Sequence, residues 1–182
     1  MPTYVALLRG ILPTNPNMRN EKLRTLFEEL GFTNVKTVIA SGNVIFSSPE
    51  TDTQKLEHTI ESPISSTLGF ESATIIRSRN DLEALRDSSP FGSREDAPHS
   101  KLQVTFLKEA RAHSSALPVP PVGRSYALIG GTHNTLFSTI DLSGDKTPDL
   151  MAWLEKNFTK KITTRTWKTV IKIIASMQDI SS

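Results

Sequence analysis

The chain of 182 residues contains no cysteine. That absence excludes disulfides, thiolate metal sites and cysteine nucleophiles, and it makes the cytoplasm the expected compartment. Long apolar runs are missing as well. The opening MPTYVALLRG reaches Arg9 after a short apolar stretch, with no basic start and nothing near the ~18 residues that span a membrane, so no membrane partner is expected. There is little excess of either charge sign. A formal charge of +2 with a pI near 8.9 is too weak a sum to imply nucleic acid, so the distribution of charge carries the information. Recognisable catalytic motifs are also absent. His58, His99, His113 and His133 lie far apart without metal-ligand spacing, and Glu28-Glu29 sits on a helix where neighbours point in different directions. No G-x-S-x-G, phosphate-loop or dinucleotide fingerprint occurs. The sequence names no catalytic residue, no cofactor and no metal.

What is present is an order of elements read twice. Tyr4 to Leu8 suits a strand buried on both faces, and it ends at Arg9-Gly10 before the loop ILPTNPN. Leu23, Leu26, Phe27 and Leu30 then follow helical spacing, with an asparagine cap expected at Asn17 or Asn20 and Gly31 as the stop. Val35 to Ala40 and Val44 to Ser47 read as a hairpin turning through Gly42-Asn43, which sets Ile39 against Phe46. Asp52 to Leu68 reads as a helix that Pro63 kinks or splits, and Ala73 to Ile76 as a fourth strand. Asn80 to Arg86 suits a short helix, and the polar stretch SSPFGSREDAPHS suits a connector.

The second pass runs through a strand at Leu102 to Leu107, a short helix at Glu109 to Ala116, and the breaker PVPPVG. A hairpin of Tyr126 to Ile129 with Thr135 to Ile140 comes next. A helix opening at Thr147-Pro148 with Leu150, Trp153, Leu154 and Phe158 inward, a strand at Ile162 to Thr164, and a helix at Trp167 to Ser176 complete it. The expected fold is α+β, two tandem ferredoxin-like (α/β-plait) units, each β-α-β-β-α-β, with an extra C-terminal helix. The first unit is expected at residues 1–79. The second is expected at 80–182, with the connector at 87–100 and the C-terminal helix included. A plait leaves one sheet face bare, so the other unit or a second copy of the chain is expected to cover it.

Taken together, YVALLRG, KLRTLFEELGF, VKTVIASGNVIFSS, SPF, VTFL and TTRTWKTVIK resemble the bacterial family called domain of unknown function 1697. The resemblance implies two α/β-plait units in one chain, and it implies no activity, cofactor or catalytic residue. Two departures stand out. The family's glycine-rich loop with a lysine is replaced by Ile11 to Asn17, which has no glycine, and its Arg-Asn-Trp appears as Arg165-Thr166-Trp167. The first argues against a phosphate loop; the second preserves a helix-capping side chain.

Three stretches carry candidate chemistry. Ser41-Gly42-Asn43 reads as a bend more than as a ligand cradle. Arg9 stands where a strand releases the chain into a loop, a place suited to an anion, with a bond to loop carbonyls or Glu28 as the structural alternative. The segment KNFTKKITTRTWKTVIK holds Lys156, Lys160, Lys161, Arg165, Lys168 and Lys172 with no acid. Thr166 is expected to cap the last helix, with Arg165, Lys168 and Lys172 along one side and Trp167, Val170, Ile171 and Ile174 in the core. Base stacking of the RRM kind is not expected, because the third strand offers only Phe46. The leading reading is a non-catalytic binding protein for an anionic small molecule or nucleic acid, that is a nucleotide, a phosphorylated metabolite or a nucleic acid backbone, through Arg9, Arg165, Thr166, Lys168 and Lys172. The alternatives are a small-metabolite enzyme with a site between the units, or a homo-oligomeric module.

Overall fold

A strand with apolar residues at successive positions needs cover on both faces, and Thr3–Leu8 (β1) is buried throughout in the computed structural model, which describes residues 1–112 and 115–180. On its two sides β1 pairs antiparallel with Asn43–Ser47 (β3) and Thr74–Ser78 (β4), and Thr33–Thr37 (β2) pairs outside β3. The order is β2-β3-β1-β4. Helices Asn20–Glu29 (α1) and Thr53–Pro63 (α2) lay Leu23, Phe27, Leu56 and Ile60 against Tyr4, Ala6, Leu8 and Phe46. Each fully buried side chain of this size contributes about 1.5–3 kcal/mol. Val5, Leu7, Ile45 and Ile75, of opposite alternation, are buried as well.

The second sheet is formed by Ser100–Leu107 (β5), Tyr126–Gly131 (β6), Thr135–Asp141 (β7) and Ile162–Thr166 (β8), in the order β6-β7-β5-β8. Helix Leu150–Asn157 (α4) places Leu150 and Leu154 against Leu107, Leu136 and Ile162. The two sheets repeat each other in register: Val5 faces Arg77 in one, and Val104 faces Arg165 in the other. Each fourth strand runs straight into a helix, Arg79–Asp87 (α3) after β4 and Trp167–Gln178 (α5) after β8. The fold is therefore α+β with two four-stranded antiparallel sheets. Among the described residues no helix is long and apolar enough to cross a membrane.

By its contacts the chain groups into one unit of Met1–Ala84 with Ile171–Ser182 and another of Leu85–Val170. The end of α5 thus goes with the first unit, unlike the expected division that kept the closing helix in the second. Within that first unit Asp179 pairs with Lys36 at 3.6 Å, and Gln178 donates to Glu83 at 3.2 Å. On α5, Val170, Ile173, Ile174 and Met177 are buried, whereas Ile171, expected in the core, is 37% exposed. Spacing of i, i+3, i+4, i+7 from Val170 is the stripe that the packing selects.

Several local expectations are corrected. Between β5 and β6 none of the described residues is helical; of the short helix expected at Glu109 to Ala116, His113 and Ser114 lie outside the described residues. Pro118, Pro120 and Pro121 follow at once and offer no N–H to a helical ladder, and the Arg111 N–H goes to the His133 carbonyl. Among the described residues the second unit runs β-β-β-α-β. Neither Asn17 nor Asn20 caps α1, since Arg19 holds that position without a side-chain bond, and Asn15 caps the preceding turn Pro16–Met18. Helix α4 begins at Leu150 with Asp149 before it, so Thr147-Pro148 lies in the approach. Pro63 does interrupt its helix: the ladder widens to a π turn at Ile64–Leu68, and Ile64 and Leu68 stay buried.

Candidate functional site

Ser41-Gly42-Asn43 is a built connection. Five residues, Val38 to Gly42, link β2 to β3, and the register is Lys36 to Ile45 and Thr37 to Val44, so Ile39 does not face Phe46. The buried Asn43 amide sets this register by donating to the Val38 carbonyl and to Ser41 Oγ, both at 2.9 Å. Ile39 is left outside at positive φ. Gly42 has φ +78, and a Cβ there would meet Ile11 Cγ1 at 2.5 Å and Leu8 Cβ at 3.0 Å. Both the conformation and the close approach require glycine. Phe46 is fully buried among Tyr4, Phe27 and Phe32, so no base stacks on it.

The residues of the expected anion site differ in exposure and partners. Arg9 is half-buried at the exit of β1; its N–H bonds the Ala73 carbonyl at 3.2 Å and its carbonyl accepts from Ser72 Oγ at 2.7 Å. Glu28, its suggested partner, lies 3.8 Å from Arg24 one helical turn away. Arg165 is 8% exposed within β8, and its guanidinium donates to Thr163 Oγ1 at 2.7 Å and to the Thr164 carbonyl at 3.0 Å. Burial lowers its pKa to about 10. This is a correction, since Arg165 was expected on the outer side of the last helix. Its strand register turns it onto the face shared with Val104.

Thr166 does cap α5, its Oγ1 accepting the Thr169 N–H at 3.2 Å. Lys168 and Lys172 are exposed one helical turn apart. Lys161 is engaged by Glu109 at 2.7 Å, which holds that carboxyl below its usual range.

Lys156, from the same basic segment, belongs to a cleft of about 350 Å³ in the second unit. From α4 the cleft is lined by Trp153, Lys156 and Asn157, at i, i+3 and i+4, from the residue before α4 by Asp149, and from the approach and first residue of β6 by Arg124 and Tyr126. Tyr126 and Trp153 have ring centroids 6.0 Å apart. Asp149 sits 3.4 Å from Arg124, and burial, followed by the field of Asp149, raises the Tyr126 hydroxyl pKa. Sequence reasoning assigned Trp153 to the core stripe and passed over Arg124 and Tyr126. The spacing of Trp153, Lys156 and Asn157 was the available signal.

A second cleft, about 410 Å³, is lined by His58, Glu61, Ser62, Ser65, Glu71 and Ser72. Two of its polar groups serve the fold: Glu61 accepts the Thr74 N–H at 2.9 Å and Ser72 holds the Arg9 carbonyl. No three His, Asp or Glu side chains gather as a metal site among the described residues.

No curated protein matches the chain. Among solved structures it is similar to the conserved bacterial protein SP0830 from Streptococcus pneumoniae, at 24% identity and a TM-score of 0.69, over 97% of this chain and 98% of that one. This likeness speaks to the fold alone. The model of a protein family of unknown function, DUF1697, matches residues 1–124, and with two-thirds of its length so covered the chain belongs to that family.

Proposed function

We propose that the protein is a non-catalytic binding protein for an anionic ligand of the phosphate or carboxylate class. The observation that carries this reading is the cleft of the second unit, where Lys156 and Arg124 stand together beside a tryptophan and a tyrosine. Lys156 makes no ion pair among the described residues, so its charge is available. Thr166, Lys168 and Lys172 support the same reading as a separate basic surface at the start of α5, and Arg165, buried in β8 just before Thr166, adds positive charge. Arg9, at the exit of β1, is a further candidate contact. Each unit is read as a ferredoxin-like plait, the second without its first helix; the same strand order in both sheets supports this. The absence of cysteine supports a cytoplasmic setting.

Calorimetric titration of the full chain with pyrophosphate, at low and at physiological salt, tests the function. Binding that weakens as salt rises, and that drops in Lys156→Gln or in the Lys168→Gln, Lys172→Gln double variant, is expected. Absence of binding at low salt rejects the reading.

A further inference from the structure

The cleft beside α4 contains more than an anion requires. On this helix Leu150 and Leu154 are buried against the sheet, and their packing leaves Trp153 only partly buried at the cleft. Its indole meets Tyr126 at 6.0 Å and Phe158 at 6.4 Å, an aromatic wall held from two sides. Asp149 is committed to Arg124 at 3.4 Å, which leaves Lys156, one turn beyond Trp153, as the cation open to a ligand. A bare phosphate makes no use of the indole, and an apolar ligand makes no use of Lys156. One ligand class uses both.

Resting on the anion-binding reading above, we infer that the cleft takes a planar heteroaromatic ring bearing an anionic group, as in a nucleoside monophosphate, with the ring against Trp153 and the anion on Lys156. The volume of about 350 Å³ lies within the range of small-ligand sites. Ring stacking on an aromatic side chain is sequence-tolerant, so the inference names the class and no particular base. Asn157 donates to the Trp153 carbonyl at 2.8 Å, which ties the end of α4 where the indole is presented.

Titrating the full chain with the four nucleoside 5′-monophosphates, the four nucleosides and orthophosphate, by calorimetry and tryptophan emission, tests this. At least one monophosphate is expected to bind and to change the emission of Trp153. A change that persists in Trp153→Leu comes from Trp167, which lies tilted against Phe91 at 5.4 Å beside Lys168, and is not assigned to the cleft. Trp153→Leu should weaken that binding by roughly tenfold or more, Trp153→Phe should retain most of it, and Lys156→Gln should weaken the monophosphate but not the nucleoside. Circular dichroism confirms that each variant is folded.

If orthophosphate binds as tightly as every monophosphate and Trp153→Leu changes nothing, the ring inference fails while the anion reading stands. If a nucleoside binds as tightly as its monophosphate and Lys156→Gln is silent, the anion reading fails at this cleft and the inference goes with it. Failure of all the probes to bind overturns both.

Discussion

Arg77 and Arg165 occupy the same place in the two sheets, and the protein accommodates them by different means. Each is the penultimate residue of a fourth strand, each faces a valine of the central strand, and each donates to the carbonyl of the residue before it. Both are buried. At Arg77 desolvation lowers the pKa, and the fields of Glu57 and Asp81 oppose that shift. At Arg165 desolvation is the cause of the shift, and the nearby help is a hydroxyl, Thr163 Oγ1, at the position where the first unit has Ile75. Burial of a cation is costly in either sheet; the fields of Glu57 and Asp81 offset it at Arg77, and Thr163 Oγ1 and the Thr164 carbonyl accept from Arg165.

The same contrast extends along the strand edges. In β4 the N–H groups of Thr74, Ile76 and Ser78 are taken by the carboxylates of Glu61, Glu57 and Asp81. This seals the edge against a further strand. Aligning Leu56 and Ile60 of α2 with Leu150 and Leu154 of α4 puts Met151 where Glu57 stands. Met151 accepts from the Thr164 hydroxyl at 3.0 Å. The second unit thus uses a threonine and methionine layer where the first uses acids.

The largest effect that separates the two units is expected from Arg77→Met against Arg165→Met. The first leaves the buried Glu57 without its opposing charge and should cost about 3–5 kcal/mol, whereas the second removes the bonds to Thr163 Oγ1 and the Thr164 carbonyl and should cost less, about 1.5–3 kcal/mol. Urea midpoints at neutral pH measure both, and equal losses would break the comparison. A smaller contrast sets Gly42→Ala against Gly31→Ala. Both glycines have positive φ, but only Gly42 faces Ile11 and Leu8, so it should lose about 3 kcal/mol and Gly31 about 1, read from thermal midpoints.

The caps sharpen the comparison further. Ser78→Ala and Thr166→Ala should each cost about 1 kcal/mol, because each hydroxyl accepts an N–H three residues on. Asp81→Ala should cost more than Thr169→Ala, since Asp81 also accepts the Ser78 N–H and hydroxyl. Denaturant titrations of the four variants decide the order. The smallest expected effect lies in alkali. With the folded pKa of Arg165 lowered to about 10, the unfolded chain holds the proton longer, so stability contributed by this group rises with pH above about 10. The stability of the parent relative to Arg165→Met should therefore rise through that window, and a constant difference would argue that Arg165 keeps its ordinary affinity for the proton.

Much of the fold was legible because local rules govern it. The spacing of Leu23, Leu26 and Phe27 set a helix and its inner face, Pro63 marked the place where a helix changes type, and Thr166 capped the helix it was expected to cap. The β2 to β3 register was misread because Gly42-Asn43 looked like a two-residue turn. The decisive bonds come from the Asn43 side chain, which spacing alone does not reveal. The candidate site was legible in charge and not in exposure. Lys156, Lys168 and Lys172 lie on the outside as the basic segment suggested, while Arg165 turned inward with its strand.

The sequence by itself determined the element types, the inner face of α1, the break at Pro63 and the absence of cysteine chemistry, because each follows from neighbours a few residues apart. Tertiary structure decided which arginines are buried, what offsets their charge, and that Trp153 and Lys156 share a cleft with Tyr126 and Arg124. Those outcomes depend on the solvent and the charges supplied by residues distant in the chain, and spacing along one element carries no record of them.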